Sequence, residues 1–91
     1  MIFSKTYLSV QNGQTDPFFV PAGNHTISAT TQTGCKAIVY LKFGRSEFDY
    51  EIVQSWEFTK EFTEVIDFNE GTYRLEFELQ KGNSITMEIS Q

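Results

Sequence analysis

The chain has 91 residues, with 12 acidic and 7 basic side chains and a formal net charge of −5. This length predicts one domain over residues 1–91, because two separate cores would each be too small to stabilise a fold. An acidic surface repels phosphate backbones, so we expect no nucleic-acid partner. No stretch approaches the roughly 20 apolar residues of a membrane-spanning helix, and the first residues lack the features of a signal peptide. We therefore expect synthesis in the cytoplasm and no membrane partner.

The sequence offers few groups for catalysis or metal binding. Cys35 is the only cysteine, which excludes an intrachain disulfide and predicts a small buried residue, not a reactive thiol. His25 is the only histidine, and no nucleophile or second base lies near it in sequence, so we interpret it as a surface residue. A zinc site needs about three or four such ligands. We predict no enzymatic activity, no metal and no cofactor.

The first part of the chain is typical of short strands joined by turns. Residues 2–10 predict a first strand, either at a sheet edge or as an extended arm, and residues 11–17 predict a loop rich in turn-forming residues. Phe18 and Phe19 belong to a very short strand. Adjacent side chains of a strand point to opposite faces, so one of the two rings should face outward. Residues 25–31 alternate between apolar and polar and predict the next strand.

The middle of the chain predicts three more strands. A turn at Gln32-Thr33-Gly34 precedes residues 35–43, whose two apolar faces are typical of a central strand or of one covered by a partner. Residues 47–58 alternate after a tight connection, with Gln54 interrupting the apolar positions. Residues 61–68 alternate less regularly, because Glu64 takes an apolar position and Val65 a polar one. This irregularity predicts a bulge or a partly exposed strand.

The C-terminal residues predict a β-hairpin. Two alternating runs are separated by Lys81-Gly82-Asn83, which has the composition of a turn. The apolar positions of both runs share one face: Tyr73, Leu75, Phe77, Leu79, Ile85, Met87 and Ile89. Because an isolated hairpin is marginal in water, a second layer must bury this face. The whole pattern predicts an all-β fold, a single antiparallel β-sandwich of jelly-roll type with seven to eight short strands.

Acidic residues recur in the second half. Glu47, Asp49 and Glu51 fall at every second position of a predicted strand, so they line one exposed face and do not converge around a calcium ion. We interpret them as charges that keep the protein soluble and protect strand edges.

Nine Phe, four Tyr and one Trp exceed what so small a core needs, and the surplus predicts contact with another subunit. We assign this role to four aromatic residues: Phe3, Tyr7, Phe18 and Tyr40. Trp56 and Tyr50 favour a position in the core, and an alternative hypothesis makes them a platform on which a sugar stacks.

Several segments together resemble small β-sandwich proteins of tailed bacteriophage particles. These are Gly34-Cys35 with the strand that follows, the strand ending near Trp56, the turn and strand Phe68-Asn69-Glu70-Gly71-Thr72-Tyr73-Arg74-Leu75, and the final strand Ser84-Ile85-Thr86-Met87-Glu88-Ile89. The Gly71-Thr72-Tyr73-Arg74 turn carries most of the resemblance, which covers about the last two thirds of the chain.

The resemblance implies a head decoration, auxiliary capsid or head-fibre protein that is repeated around a symmetric shell. It implies location in the virion, contact with the major capsid protein or another virion protein, and a homo-oligomer or many copies on the shell. The alternative hypothesis from the residues is a carbohydrate- or ligand-binding module, such as a tail or receptor-binding accessory, that uses Trp56 and Tyr50.

Overall fold

The computed structural model describes residues 1–32 and 35–91, with the Lys81 side chain left out. Two residues of the predicted turn, Thr33 and Gly34, therefore lie outside the described residues. The strands are β1 (Phe3–Gln14), β2 (Phe18–Val20), β3 (Gly23–Thr31), β4 (Ala37–Ser46), β5 (Asp49–Phe58), β6 (Glu61–Phe68) and β7 (Gly71–Ser90). All their pairings are antiparallel. Within these residues no helix is long and apolar enough to span a bilayer.

The last strand of the chain lies at the centre of the sheet. Along one edge β7 pairs with β1 and then with β2, and along the other edge it pairs with β3 and then with β4. The outer edge of β3 pairs with β6, and the outer edge of β4 pairs with β5, which completes the order β5-β4-β7-β3-β6. The predicted all-β antiparallel fold is confirmed, as one sheet that folds over on itself.

Ring contacts demonstrate the folding of this sheet. Phe3 pairs with Ile89 and Phe18 with Tyr73, near opposite ends of β7, yet the rings of Phe3 and Phe18 stack with centroids 4.1 Å apart. Phe68, on the strand beside β3, makes an edge-to-face contact with Tyr73, with ring centroids 5.3 Å apart. The β3 half, which contains β3, β6 and the end of β7, thus faces the β4 half, which contains β4, β5 and the start of β7.

The core lies between the two halves. Every second residue of β3, β4 and β7 points inward, as the sheet pleat requires. The side chains with at most 1% exposure include Ile27, Val39, Leu41, Leu75, Phe77, Ile85, Met87 and Ile89. The accessible surface of 5345 Å² is close to the ~5,400 Å² that surface scaling gives for a folded monomer of this mass.

The predicted C-terminal hairpin is wrong, although its inward face is right. Gly71–Ser90 is one bent strand, and no pairing joins its two ends. At the bend the backbone bonds go to the neighbouring connection instead: the Gln32 amide donates to the Ser84 carbonyl, and the Gln80 amide to the Lys36 carbonyl. The turn-like residues around Gly82 therefore form a corner of the folded sheet.

Several strand boundaries differ from the sequence prediction. β4 continues to Ser46 and β5 begins at Asp49, so the turn between them lies at residues 47–48 and not before residue 47. β1 continues to Gln14 through the predicted loop at 11–17, with bulges where it follows the bend of β7. Ser9 adopts a φ of 53° at the first of these bulges. The residues from Phe3 onward are therefore a strand of the sheet and not a free arm. Residues 61–68, for which a bulge was one option, form the regular strand β6 with largely exposed side chains.

A bulge in β5 explains the interruption of its pattern at Gln54. Leu41 pairs with Gln54 and Lys42 with Ile52, which leaves Val53 as an extra residue. The extra residue shifts the alternation by one position, so the even-numbered side chains lie on one face before the bulge and on the other face after it. Trp56 and Phe58 face the core side, whereas Tyr50 and Ile52 lie on the outer face of the sheet.

Candidate binding surfaces

The folded sheet leaves a cleft between its two end strands. β5 and β6 approach each other near the connection at Thr59 and Lys60, where Trp56 stacks on Phe62 with centroids 4.9 Å apart. The described residues show no strand pairing between them. Away from this corner they diverge around a space of about 370 Å³, which we call the β5–β6 cleft.

The cleft has an apolar floor and a polar rim. Floor residues come from strands that belong to the core, and the rim residues come from the edges of β5 and β6 and from the turn after β6. The floor is formed by Leu41, Phe43, Phe68 and Tyr73, and the rim by Glu51, Val53, Gln54, Ile66, Asp67 and Asn69. This combination suits a ligand with both apolar and polar groups.

Negative charge is concentrated beside the cleft. Residues 47–70, which contain β5 and β6, hold eight acidic residues and one lysine, whereas the rest of the chain holds four acidic and six basic residues. Glu51 forms an exposed ion pair with Arg45 at 2.8 Å, and Asp67 lies on the opposite rim. Glu47, Asp49 and Glu51 are exposed as predicted, but Glu47 lies in the β4–β5 turn and does not share a strand with the other two. Among the described residues no acidic group converges with others as a metal site.

Large apolar side chains are exposed at the same end of the molecule. Phe48, at the tip of the β4–β5 turn, is 92% exposed, and Ile52 and Val53 at the β5 bulge are 55% and 49% exposed. Phe19 is 57% exposed and pairs with Thr72 on the neighbouring outer face. We call Phe19, Phe48, Ile52 and Val53 the tip surface.

Three of the four predicted interface residues are packed within the chain. Phe3 and Phe18 stack on each other, and Tyr7 lies 5.1 Å from the ring of Phe77. All three are only partly exposed and border the core. Burial, reinforced by the charge of Asp16, raises the pKa of Tyr7 above its ordinary value. It is Phe19, not Phe18, that provides the outward ring of this pair.

Tyr40, the fourth predicted interface residue, lies on the outer face of the β4 half. Its hydroxyl donates a hydrogen bond of 2.7 Å to the Glu78 carboxylate, and the neighbouring Lys42 and Glu76 form an ion pair at 2.5 Å. The bond to Glu78, followed by desolvation and by nearby carboxylates, raises the pKa of Tyr40. This residue is surrounded by paired charges, at a distance along the strand from the tip surface.

The structure does not bring Trp56 and Tyr50 together as one platform, because the β5 bulge separates their faces. Trp56 is half-buried, stacks on Phe62 and donates its indole N–H to Glu64. Tyr50 lies over Gly44 on the outer face, and the Arg74 guanidinium lies 4.9 Å from its ring centroid. Both rings therefore already have intramolecular partners on one side.

The single histidine and the single cysteine have structural surroundings. His25 is 7% exposed, so its predicted position on the surface is wrong. One ring nitrogen bonds the Pro21 carbonyl at 2.8 Å and the ring tilts against Phe68. Cys35 is partly buried against the core, as a small apolar residue would be.

Another hollow, of about 420 Å³, lies over Gly13 on the outer face. Its walls include Glu76 and Glu78, which are already bonded to Lys42 and Tyr40. The β5–β6 cleft differs from it by combining an apolar floor with two free strand edges, and is the better candidate for binding.

Sequence reasoning missed Phe48, Val53 and the cleft. For Phe48 a signal existed, since Glu47 and Asp49 on either side have the polarity of a turn. Nothing in the alternation of β5 and β6 indicates that they would be the two ends of one folded sheet.

Comparison with known proteins shows similarity of structure alone. No family model and no curated protein sequence matches the chain. The pre-peptidase C-terminal domain of a collagenase from Bacillus anthracis has a similar structure, with a TM-score of 0.73 and 11% identity over 99% of this chain and 90% of that one. The Yersinia pseudotuberculosis-derived mitogen has a TM-score of 0.57 and 8% identity, over 99% of this chain and 86% of that one. PirA has a TM-score of 0.59 and 9% identity, over 94% of this chain and 92% of that one. They share the β fold.

Proposed function

We propose that this chain is a non-enzymatic structural protein of a tailed bacteriophage particle, an auxiliary capsid or decoration protein that binds the shell in many copies. The resemblance of its strand and turn segments to such proteins supports this proposal. The major capsid protein or another virion protein is the partner, and the virion is its location.

The tip surface is the observation that carries the proposal. Phe48, Ile52 and Val53 expose large apolar areas on the β4–β5 hairpin, which is anchored in the sheet through β4. Large exposed apolar side chains on one projecting hairpin are suited to binding another protein. Burial of these side chains against a shell would stabilise the complex, and simultaneous contacts by repeated copies would add avidity.

Mass spectrometry of purified particles of the phage that encodes the chain tests the proposal. We expect many copies of the protein per particle, in a fixed ratio to the major capsid protein that the shell symmetry sets. Absence of the protein from particles would contradict the proposal. Phe48→Ala should abolish incorporation without loss of folding, because the ring is almost fully exposed. Leu8→Ala removes another exposed apolar side chain on β1, away from the tip surface, and serves as the control.

The β5–β6 cleft supports a second candidate function, a carbohydrate- or ligand-binding module. Gln54, Asp67 and Asn69 would supply hydrogen bonds at the rim while apolar ring faces contact the floor. Screening on a glycan array tests this candidate, with Trp56 fluorescence as the readout in solution. Binding that survives Phe48→Ala but not Asp67→Ala would favour this function over the structural one.

A further inference from the structure

We propose that the β5–β6 cleft binds an extended segment of a partner protein that carries lysine or arginine, and that this segment adds to the free edge of β6 as another strand. The inference rests on the proposed function and specifies the chemistry of the partner.

The free edges of the sheet differ in how well they accept another strand. The outer edge of β1 is interrupted by bulges near Val10, and β5 has its bulge at Val53. β6 pairs with β3 in one unbroken register from Glu61 to Phe68, and it contains neither proline nor lysine. Bulges, prolines and lysines are the usual protection of an edge against strand addition. Of these three edges, β6 is the one without a bulge, proline or lysine, and its only protection is the negative charge of Glu61, Glu64 and Asp67.

The cleft leaves open space beside the free edge of β6. A strand added to this edge would lie about 4.8 Å from β6. Alternate side chains of that strand would meet the apolar floor at Phe43 and Tyr73, and the others would face the rim. Backbone bonds would then supply affinity, and the inward side chains would supply specificity.

Charge selects the partner. Glu51 and Asp67 border the cleft, with the Asp67 side chain on the outer face beside Asn24. β6 also carries Glu61 and Glu64, and Glu64 accepts the indole N–H of Trp56. A second copy pairing β6 with β6 would bring Glu61, Glu64 and Asp67 of both copies onto one shared edge, and this concentration of negative charge opposes self-association there. A segment with apolar residues alternating with lysine or arginine complements both the floor and the rim.

Peptide binding tests the inference directly. The probe is a synthetic peptide of alternating valine and lysine with the length of β6, 8 residues, and its control carries glutamate in place of lysine. We expect calorimetry to detect binding of the lysine peptide alone. Hydrogen exchange should slow at the backbone amides of β6 and not at those of β1. Absence of binding, equal binding of both peptides, or protection elsewhere would overturn the inference.

Charge reversal at the rim provides the matched variants. Asp67→Lys should weaken binding about tenfold or more, because it replaces attraction by repulsion. Glu88→Lys makes the same charge change on the outer face of the β3 half and should bind as the wild type does. If Asp67→Lys fails to fold, as judged by circular dichroism, Glu51→Lys on the opposite rim replaces it. A reversal variant that folds and keeps wild-type affinity would contradict the inference.

The two proposals fail separately. Protein present in particles with unprotected β6 amides would overturn strand addition and leave the structural function intact. Peptide binding at β6 by a protein that is absent from particles would do the reverse.

Discussion

Thr15 joins the end of β1 to the central strand through three hydrogen bonds. Its amide donates to the Leu75 carbonyl at 2.8 Å, its hydroxyl accepts from the Leu75 amide at 3.1 Å, and its carbonyl accepts from Arg74 Nε at 3.0 Å. The side chain is buried, so water cannot replace the hydroxyl. One threonine thus continues the sheet where the chain leaves β1.

Thr15→Val should destabilise the protein by about 1–2 kcal/mol, because it keeps the shape but leaves the Leu75 amide without its acceptor. Thr15→Ser retains the hydroxyl and should cost less. Urea denaturation of both variants measures the difference. A loss in Thr15→Ser that equals or exceeds the loss in Thr15→Val would mean that the methyl group contributes at least as much as the hydrogen bond.

The hydroxyl of Tyr40 should respond to the charge of Glu78. Because the Glu78 carboxylate accepts its hydrogen bond and raises its pKa, Glu78→Gln should lower the pKa of Tyr40 towards the ordinary value. Ultraviolet absorbance of tyrosinate during an alkaline titration measures this shift. Glu61→Gln is the control and should leave the titration unchanged; an unchanged titration in Glu78→Gln would refute the assignment.

For single residues, the sequence predicted which apolar side chains are buried better than it predicted the hydrogen bonds of polar side chains. The alternation from Tyr73 to Leu79 identified buried residues correctly, because a strand allows two directions only. Thr15 and His25 looked like surface residues in sequence. Thr15 bonds the backbone amide of Leu75, and His25 bonds the backbone carbonyl of Pro21. The positions of these backbone groups are set by the folded chain and cannot be read from the local sequence.

Among the strands, the junction of β4 and β7 depends on a glycine. A Cβ atom on Gly71 would lie 2.5 Å from Cε1 of Phe43, whose ring covers this position. The ring also forms an edge contact with Tyr73, at 5.2 Å. A small residue at Gly71 therefore allows the aromatic floor of the cleft to close over the backbone.

Gly71→Ala should destabilise the protein by about 1–3 kcal/mol through overpacking. Gly82→Ala is the matched control, since a Cβ there meets nothing within 4 Å, and it should be close to neutral. Thermal unfolding compares the two. Phe43→Leu should recover part of the loss in the double variant, and failure of any recovery would show that the clash lies elsewhere.

Strands were predicted more accurately than their connections. The composition of Lys81-Gly82-Asn83 fits a turn, but β1 on one edge and the β3–β4 connection on the other supply partners that keep β7 in one piece. The β5 bulge at Val53 left a trace at Gln54, the position that interrupts the apolar alternation. A bulge interrupts the local alternation of apolar and polar residues and can be detected in sequence. Pairing with a strand that is distant in sequence does not alter that alternation.

For the whole molecule, the tyrosines predict how stability depends on pH. Burial raises the pKa of Tyr73, and the pKa values of Tyr7 and Tyr40 are also raised above 10.0. A raised pKa in the folded state gives stability that is complete below the unfolded value and is lost as pH rises through the folded one.

The free energy of unfolding should therefore fall as the pH rises above about 10, where the unfolded chain releases its tyrosine protons first. Urea denaturation across the alkaline range measures this fall. Tyr73→Phe removes one titrating group, so the free energy of unfolding of this variant should decline less steeply with pH. This holds whatever the difference in stability between the variant and the wild type at neutral pH. Parallel declines in the variant and the wild type would contradict this account.

The overall fold class was predictable, but the cleft was not. Short alternating segments predict an antiparallel fold because each must bury one face against another layer. The β5–β6 cleft exists because these two strands are the ends of one folded sheet, and that order depends on long-range pairing. The sequence shows that residues 47–70 are acidic, but it does not show that the strands carrying these residues lie on two sides of one cleft.

The central position of β7 also determines when the protein can fold during its synthesis. β1 and β2 pair with β7 alone, and β3 and β4 reach the rest of the sheet only through it. While a ribosome is still making β7, the earlier strands have no common partner, and the apolar faces of β3 and β4 stay open to water. β3 can pair with β6 and β4 with β5 before then, but the two halves of the domain join only once β7 has cleared the exit tunnel.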